Sequence, residues 1–364
     1  MSAPAMTNAA MPKPLAGPLT WLRVNLFASP FHAILTALIV WLLIMTLPAL
    51  LDWLILDAVF RADNVRECRA AGSGACWAFI GEKHRLILFG LYPYDEQWRP
   101  MLVVLLLIGM AAVSCIRRFW TKWLAPMWLA TLVTVGILMW GGVLGLSYVE
   151  NARWGGLPLT MILAFVAIAV AFPLGILLAL GRRSNLPAIR AICTIYIELV
   201  RGVPAVSLLF MASVMLPLLL PEGMSIDKLL RAQIALIVYA SAYLAEVVRG
   251  GLQSLSKGQY EAADALGLTY WQKQRLIILP QALRITIPPL VNTIITVFKD
   301  TSLVVIIGLY DLMNAAKASI VDPAWRGSSI EAYVFVSLIY FAFCYFMSKY
   351  SQDIEKRLAK SQNR

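Results

Sequence analysis

Residues 257–280 read KGQYEAADALGLTYWQKQRLIILP. Polar and apolar positions recur here at helical spacing, with a glycine inside the pattern. Tyr260-Glu261-Ala262-Ala263 is a good helix former, and its small alanine side chains let another surface come close to the backbone. Gly267 permits a turn that a bulkier residue would resist. Leu276 to Leu279 forms a second apolar run, and Pro280 interrupts the pattern before Arg284. The spacing predicts two short helices joined at a glycine, an element suited to docking into a groove on a soluble partner.

Outward from this stretch the chain becomes strongly apolar. Its 364 residues are 60% hydrophobic and 14% charged, with a mean hydropathy of +0.74, whereas a soluble domain is about 25% charged. A bilayer is the natural solvent for such a surplus. Eight runs are candidate spans, near 31–51, 101–116, 126–148, 157–180, 191–220, 232–249, 286–307 and 331–348. The second is short, the fifth is interrupted by Arg201, Gly202 and Pro204, and the seventh carries Lys299 and Asp300. An even number of spans places both termini on one side. With the termini inside, inside segments hold 18 of the 31 cations and outside segments 11, six of them in the long 52–100 loop, where charge counts for less. Both termini and the 250–285 loop are therefore expected in the cytoplasm. The net charge of +11 then reads as a topology signal rather than a nucleic-acid footprint, because no basic stripe interleaves with aromatics. The Pro/Ala-rich start up to Pro18 has no small-residue cleavage site after a short apolar core, so 31–51 reads as a retained span. Trp123, Trp128, Trp140 and Trp154 lie near expected interfaces and fit an aromatic belt.

The 257–280 stretch resembles the EAA loop of binding-protein-dependent ABC permeases: Glu-Ala-Ala, a glycine, then Ile-x-Leu-Pro. Glu261, Ala262, Ala263, Gly267, Ile277, Leu279 and Pro280 stand at those spacings. Glu198-Leu199-Val200-Arg201-Gly202-Val203-Pro204 resembles the ELxRGxP stretch of polar amino-acid permeases. Ala245 to Gly251 and Lys299 to Leu303 are similar to two further segments of that group. The resemblance implies an all-α integral membrane protein with about eight transmembrane helices and a five-helix ABC importer permease core at the C-terminal end. Its expected parts are a cytoplasmic segment 1–30, three spans in 31–155 with a periplasmic loop at 52–100, the five-span core 156–349 with its coupling loop at 250–285, and a cytoplasmic tail 350–364. The extra N-terminal spans resemble the larger permeases of general L-amino-acid uptake systems in Gram-negative bacteria. The implied partners are an ABC ATPase dimer that binds ATP and Mg, a second related permease, a periplasmic amino-acid-binding protein, the L-amino-acid substrate and membrane lipid. The implied location is the bacterial inner membrane. No cofactor is expected in this chain, which has no GxxxxGK[ST] phosphate loop; Gly251 to Lys257 comes nearest but lacks the glycine before the lysine.

A charge inside a span is costly and usually faces the bundle interior or a water-filled path. Glu198, Arg201 and Glu246 are the first candidates for a substrate path, with Ser241, Lys299, Asp300 and Ser302 second. A zwitterionic amino acid needs an anion for its ammonium and a cation for its carboxylate, and this set supplies both. The competing reading of each charge is internal pairing. Glu198 with Arg201, and Glu246 with Arg249, stand three apart on a helical face and are able to pair locally. Gly202 and Pro204 break the fifth span, either exposing backbone to a substrate or ending a helix. Cys68 and Cys76, in the 52–100 loop, are a candidate disulfide with two unpaired thiols as the alternative; Cys115, Cys193 and Cys344 read as small apolar residues. No Cys/His ligand cluster indicates a metal. His32 and His84 are the only histidines and neither has a triad or ligand setting, which argues against a membrane-embedded enzyme. An ion-gradient-driven secondary transporter using Glu198 and Glu246 is the alternative function, and the EAA spacing argues against it.

Overall fold

The computed structural model describes residues 17–221 and 223–362; the first sixteen residues of the expected N-terminal segment and the last two of the tail lie outside them. Fifteen α-helices follow in order among the described residues: α1 (Pro18–Leu26), α2 (Pro30–Leu51), α3 (Val65–Ala71), α4 (Trp77–Phe89), α5 (Trp98–Cys115), α6 (Leu124–Trp140), α7 (Gly156–Arg182), α8 (Pro187–Gly202), α9 (Ala205–Leu218), α10 (Lys228–Ser254), α11 (Lys257–Ala265), α12 (Tyr270–Lys273), α13 (Leu279–Asp300), α14 (Leu312–Ser319) and α15 (Ser329–Gln362). Six helical stretches are long and apolar enough to cross a membrane, and α8 with α9 makes a seventh if counted as one bent span.

The chain divides into two compact units, Met1–Ala78 and Phe79–Arg364, rather than near residue 155. In the second unit, residues on both sides of 155 pack together. Trp128 of α6 lies on Phe165 of α7, with ring centroids 5.3 Å apart, and Trp140 lies on Trp154 at 4.9 Å. The first unit contains α2, then a π-helical turn, then α3, whose Cys68 is joined to Cys76 with Cα atoms 5.8 Å apart.

Several boundaries differ from expectation for identifiable reasons. The 52–100 region is largely helical, and the second span runs over Tyr94–Cys115, 22 residues, so it is not short. Arg99, although charged, fits inside it because Glu96 lies at 2.7 Å and the Ser147 carbonyl accepts a hydrogen bond at 2.8 Å. The third expected span, α6, stops at Trp140, well before 148, since Gly141 and Gly142 both turn to positive φ. The last helix does not end at 348 but continues through most of the tail.

α10 is the centre of the second unit. It packs most extensively on α7, and also against α8, α9 and α13. Small residues let this happen: Ala232, Ala235, Ala240, Ala242 and Ala245 are all buried along it. Gly251 is an extreme case. A Cβ there would stand 2.3 Å from Thr286 Cγ2 and 2.7 Å from the Ala282 carbonyl oxygen, so only glycine admits the start of α13. At the opposite end of the unit, Tyr310 and Asp311 bridge to Gly155 and Gly156, while Lys83 reaches Asp322 at 2.7 Å and the Trp325 indole donates to Glu82 at 2.9 Å. Asp311 is fully buried and caps α14 by accepting from the Met313 and Asn314 amides. Burial pushes its carboxyl up to about 7.

Candidate functional site

The loop between α10 and α13 builds its elbow from sequence. α11 ends in a Schellman motif: the Leu268 amide donates to the Ala263 carbonyl at 3.3 Å and the Gly267 amide to Asp264 at 2.9 Å. This closure needs a left-handed residue, and Gly267 supplies φ +68. Thr269 then opens α12 with a capping box, its own amide donating to Gln272 Oε1 at 2.9 Å. A π-helical turn over Gln274–Ile278 follows and runs straight into α13. Pro280 therefore does not interrupt the helix as expected. Proline cannot donate to the carbonyl four residues back, and the wider turn just before it absorbs that missing bond. Two side-chain links brace the elbow, Lys273 to Asp264 at 2.5 Å and Gln281 to Gln259 at 3.0 Å.

The seven motif residues split into two groups. Ala263 is fully buried, and Ile277 and Leu279 pack against a core formed by Ala179, Leu180, Ile197, Ala245, Val248 and Leu252 with the neighbouring Ile278. These positions anchor the loop to the ends of α7, α8 and α10. Glu261, Ala262, Gly267 and Pro280 are exposed instead. Beside them stand Leu266, Trp271 and Leu276, at 74%, 64% and 64% exposure. The loop thus presents apolar side chains around a small-residue elbow, held from behind by buried ones.

Directly behind the loop lies an ion cluster. Glu246 of α10 is bonded by Arg249 one turn on, with Arg249 Nε donating to Glu246 Oε2 at 3.0 Å. The same carboxylate meets Arg182 of α7 at 3.3 Å and Arg201 of α8 at 3.5 Å. Arg182 also binds Glu198 of α8 at 2.6 Å. Three of the expected path residues, Glu198, Arg201 and Glu246, are therefore brought together. Glu246 and Arg249 pair locally, whereas Glu198 and Arg201 each take a partner on another helix. The cluster sits where the fifth span breaks: Pro204 pushes Val203 into extended backbone (φ −106, ψ 135), and α8 and α9 meet at 103°.

The other four candidates lie elsewhere. Ser241 is buried and its hydroxyl is 2.8 Å from that of Tyr196, clasping α10 to α8. Lys299 is exposed, and Ser302 is half-buried in the 3-10 turn after α13. Asp300 faces the Tyr239 hydroxyl of α10. Tyr239 packs beside Tyr243 with ring planes tilted by 49° and centroids 4.7 Å apart, and the Arg201 guanidinium lies 5.7 Å over the Tyr243 ring. Tyr239, Tyr243 and Glu246 share one face of α10, spanning about 10 Å at 1.5 Å per residue. That face carries acidic Asp300 at one end and Arg201 with Glu246 at the other. Arg182 belongs to the cluster although its position at a span end reads from sequence as a topology signal alone. The one available hint was two unexplained intramembrane carboxylates with a paired arginine, Arg182-Arg183, at a nearby helix end. Among the described residues, no group of three or more His, Cys, Asp or Glu side chains is placed to hold a metal.

Residues 171–360 match the family described as the binding-protein-dependent transport system inner membrane component. The chain belongs to that family. The matched region contains the elbow, every member of the ion cluster and the α10 face. Along its length the chain is similar to the inner membrane amino-acid ABC transporter permease protein YhdY of Escherichia coli K12, at 51% identity covering 93% of this chain and 92% of that one. It is also similar to the glutamate/glutamine/aspartate/asparagine transport system permease protein BztC of Rhodobacter capsulatus, at 38% identity over 97% and 96% of the two chains. Among solved structures, the crystal structure of an amino acid ABC transporter with histidines matches at 33% identity and a TM-score of 0.50, covering 56% of this chain and 92% of that one. That shorter chain accounts for little more than half of this one.

Proposed function

We propose that this chain is one permease subunit of an ATP-driven importer of polar L-amino acids in the bacterial inner membrane. The observation that carries the reading is the braced elbow around Gly267: apolar side chains presented outward, motif residues locked into the helix ends behind. ATP and Mg bind in a separate ATPase dimer, which docks on that elbow. Both termini then lie in the cytoplasm with the elbow, and the Asp311 end faces the periplasm, where a binding protein delivers the amino acid. A second, related permease completes the pathway.

Within this reading the substrate passes along the Tyr239–Tyr243 face of α10. Asp300 offers an anion for the ammonium at one end of that face. Arg201 offers a cation for the carboxylate at the other, and it is the least committed of the cluster's arginines. Its contact to Glu246 is the longest of the ion pairs described, and its buried Nε has no acceptor. Glu246 holds the arginines in place. Glu246→Gln is expected to lower uptake about tenfold, and unchanged affinity and rate would remove Glu246 from the path.

Affinity purification of the tagged chain from its native membrane, followed by mass spectrometry, tests the assignment. An ABC ATPase and a related permease are expected at comparable abundance. Recovery of this chain alone, with uptake that survives ATP depletion while the ion gradient is intact, would replace the proposal with a secondary transporter.

A further inference from the structure

The ion cluster and the elbow are joined through two adjacent residues. Arg182 closes the last turn of α7 and Arg183 is its C-cap. Consecutive residues on a helix point about 100° apart, so the pair reaches two sites. Arg182 binds Glu198 at 2.6 Å and Glu246 at 3.3 Å. Arg183 turns the other way, donating to the Tyr260 hydroxyl of α11 at 3.0 Å with its guanidinium 5.3 Å over the Tyr260 ring. Tyr260 in turn donates to the Leu252 carbonyl near the end of α10 at 2.9 Å. Its ring also packs on the apolar core that holds Ala179, Ala245 and Val248. Both arginines sit at a helix C-terminus, where the aligned backbone dipoles favour cations.

We propose that Arg182 and Arg183 are positioning residues that couple the elbow to the ion cluster, and that the cluster is the cytoplasmic gate of the path. This rests on the elbow being the ATPase docking site. A shift of α11 moves Tyr260, and Tyr260 is tied to the ends of both α7 and α10. Those helices carry Arg182, Glu246 and Arg249, while α8 carries Glu198 and Arg201. The five side chains lock three helices together at the broken span, and their bonds are the ones that must exchange when the helix ends separate. Three arginines against two carboxylates leave a net charge of +1. A carboxylate arriving from the α10 face therefore has a cation to meet, and it competes for Arg201 rather than for the tightly held Arg182.

The test uses the complete transporter reconstituted in proteoliposomes with its binding protein and radiolabelled L-glutamine, L-glutamate and L-histidine. The readout is amino acid moved per ATP hydrolysed. Arg182→Gln, Arg183→Ala and Tyr260→Phe are each expected to lower that ratio at least threefold while ATP hydrolysis continues. Arg182→Lys is expected to keep more than half of the wild-type ratio. If Arg182→Gln does not assemble, the exchange Arg182→Glu with Glu198→Arg takes its place: the double variant is expected to recover transport that Arg182→Glu alone loses. A wild-type ratio in the single variants overturns the proposal. So does transport falling in step with hydrolysis, the outcome of a merely structural role. Failure of the wild-type complex to couple transport to ATP would instead overturn the importer assignment, so the two failures are distinguishable.

Discussion

Gly267→Asp addresses the elbow most directly. Gly267 has φ +68, and a Cβ at this position would find no atom within 4 Å. Within the chain the substitution therefore meets no steric obstacle, and two effects remain. The left-handed conformation costs an ordinary L-residue roughly 1–2 kcal/mol, which is about a tenfold change in an equilibrium. Asparagine and aspartate tolerate that region better than alanine. The second effect is contact with whatever covers the elbow, and aspartate would add a negative charge to an elbow that presents exposed Leu266, Trp271 and Leu276. If backbone strain alone mattered, Gly267→Ala would lose up to about tenfold in ATPase docking and Gly267→Asn would stay near wild type. A docked partner makes Gly267→Asp the worst of the three, with membrane insertion intact. The assay is the amount of ATPase retained per tagged permease in detergent, read beside uptake and membrane level. Wild-type docking and uptake in Gly267→Asp would refute the coupling assignment. Equal losses in Gly267→Ala and Gly267→Asn would refute the part of the reasoning that rests on φ.

Gly251→Ala gains about 1 kcal/mol of helix propensity but places a Cβ 2.3 Å from Thr286 Cγ2 and 2.7 Å from a backbone oxygen. Overpacking of about 1–3 kcal/mol wins. The thermal midpoint of the purified complex should fall and should partly recover with Thr286→Ser; a higher midpoint in the single variant would show that the helices yield freely. Burial raises the Asp311 carboxyl to about 7, above its unfolded value of 3.8. A raised pKa contributes stability that is complete below about 4 and is lost as pH rises to about 7. Asp311→Asn, which keeps an acceptor for the α14 cap, is therefore expected to melt higher than wild type above pH 7, with the difference fading toward pH 4; a pH-independent difference would contradict this. Alkylation of the denatured chain before and after reduction, read by mass, should reveal two additional thiols after reduction, those of Cys68 and Cys76. Equal labelling in both conditions would mean that no bridge exists.

Local features were legible in the sequence and long-range pairings were not. The elbow could be read because its chemistry is contained within one continuous stretch, 257–280: a helix former, a glycine where the chain must turn left-handed, and an apolar run to anchor it. The break in the fifth span could be read for the same reason, since Pro204 constrains Val203 directly. The span limits were less legible where charge misled. Arg99 looked like the end of a loop, yet a carboxylate one turn away and a serine carbonyl far along the chain let it start a helix inside the apolar layer. Pro280 looked like a stop, and the π turn before it makes it a passage. The ion cluster shows the limit most clearly. Helical spacing offered Glu198 with Arg201 and Glu246 with Arg249, and only the second pair forms. Glu198 turns to Arg182 and Arg201 to Glu246, across gaps of 16 and 45 residues. Helices that cross have many registers compatible with one hydrophobic pattern, and the choice among them is made by close contacts such as that of Gly251 with Ala282. Charge partners are fixed only after those contacts are made. An arginine at a span end therefore has the same sequence signature whether it bonds locally, as Arg190 does to the Ser184 carbonyl, or joins helices, as Arg182 does.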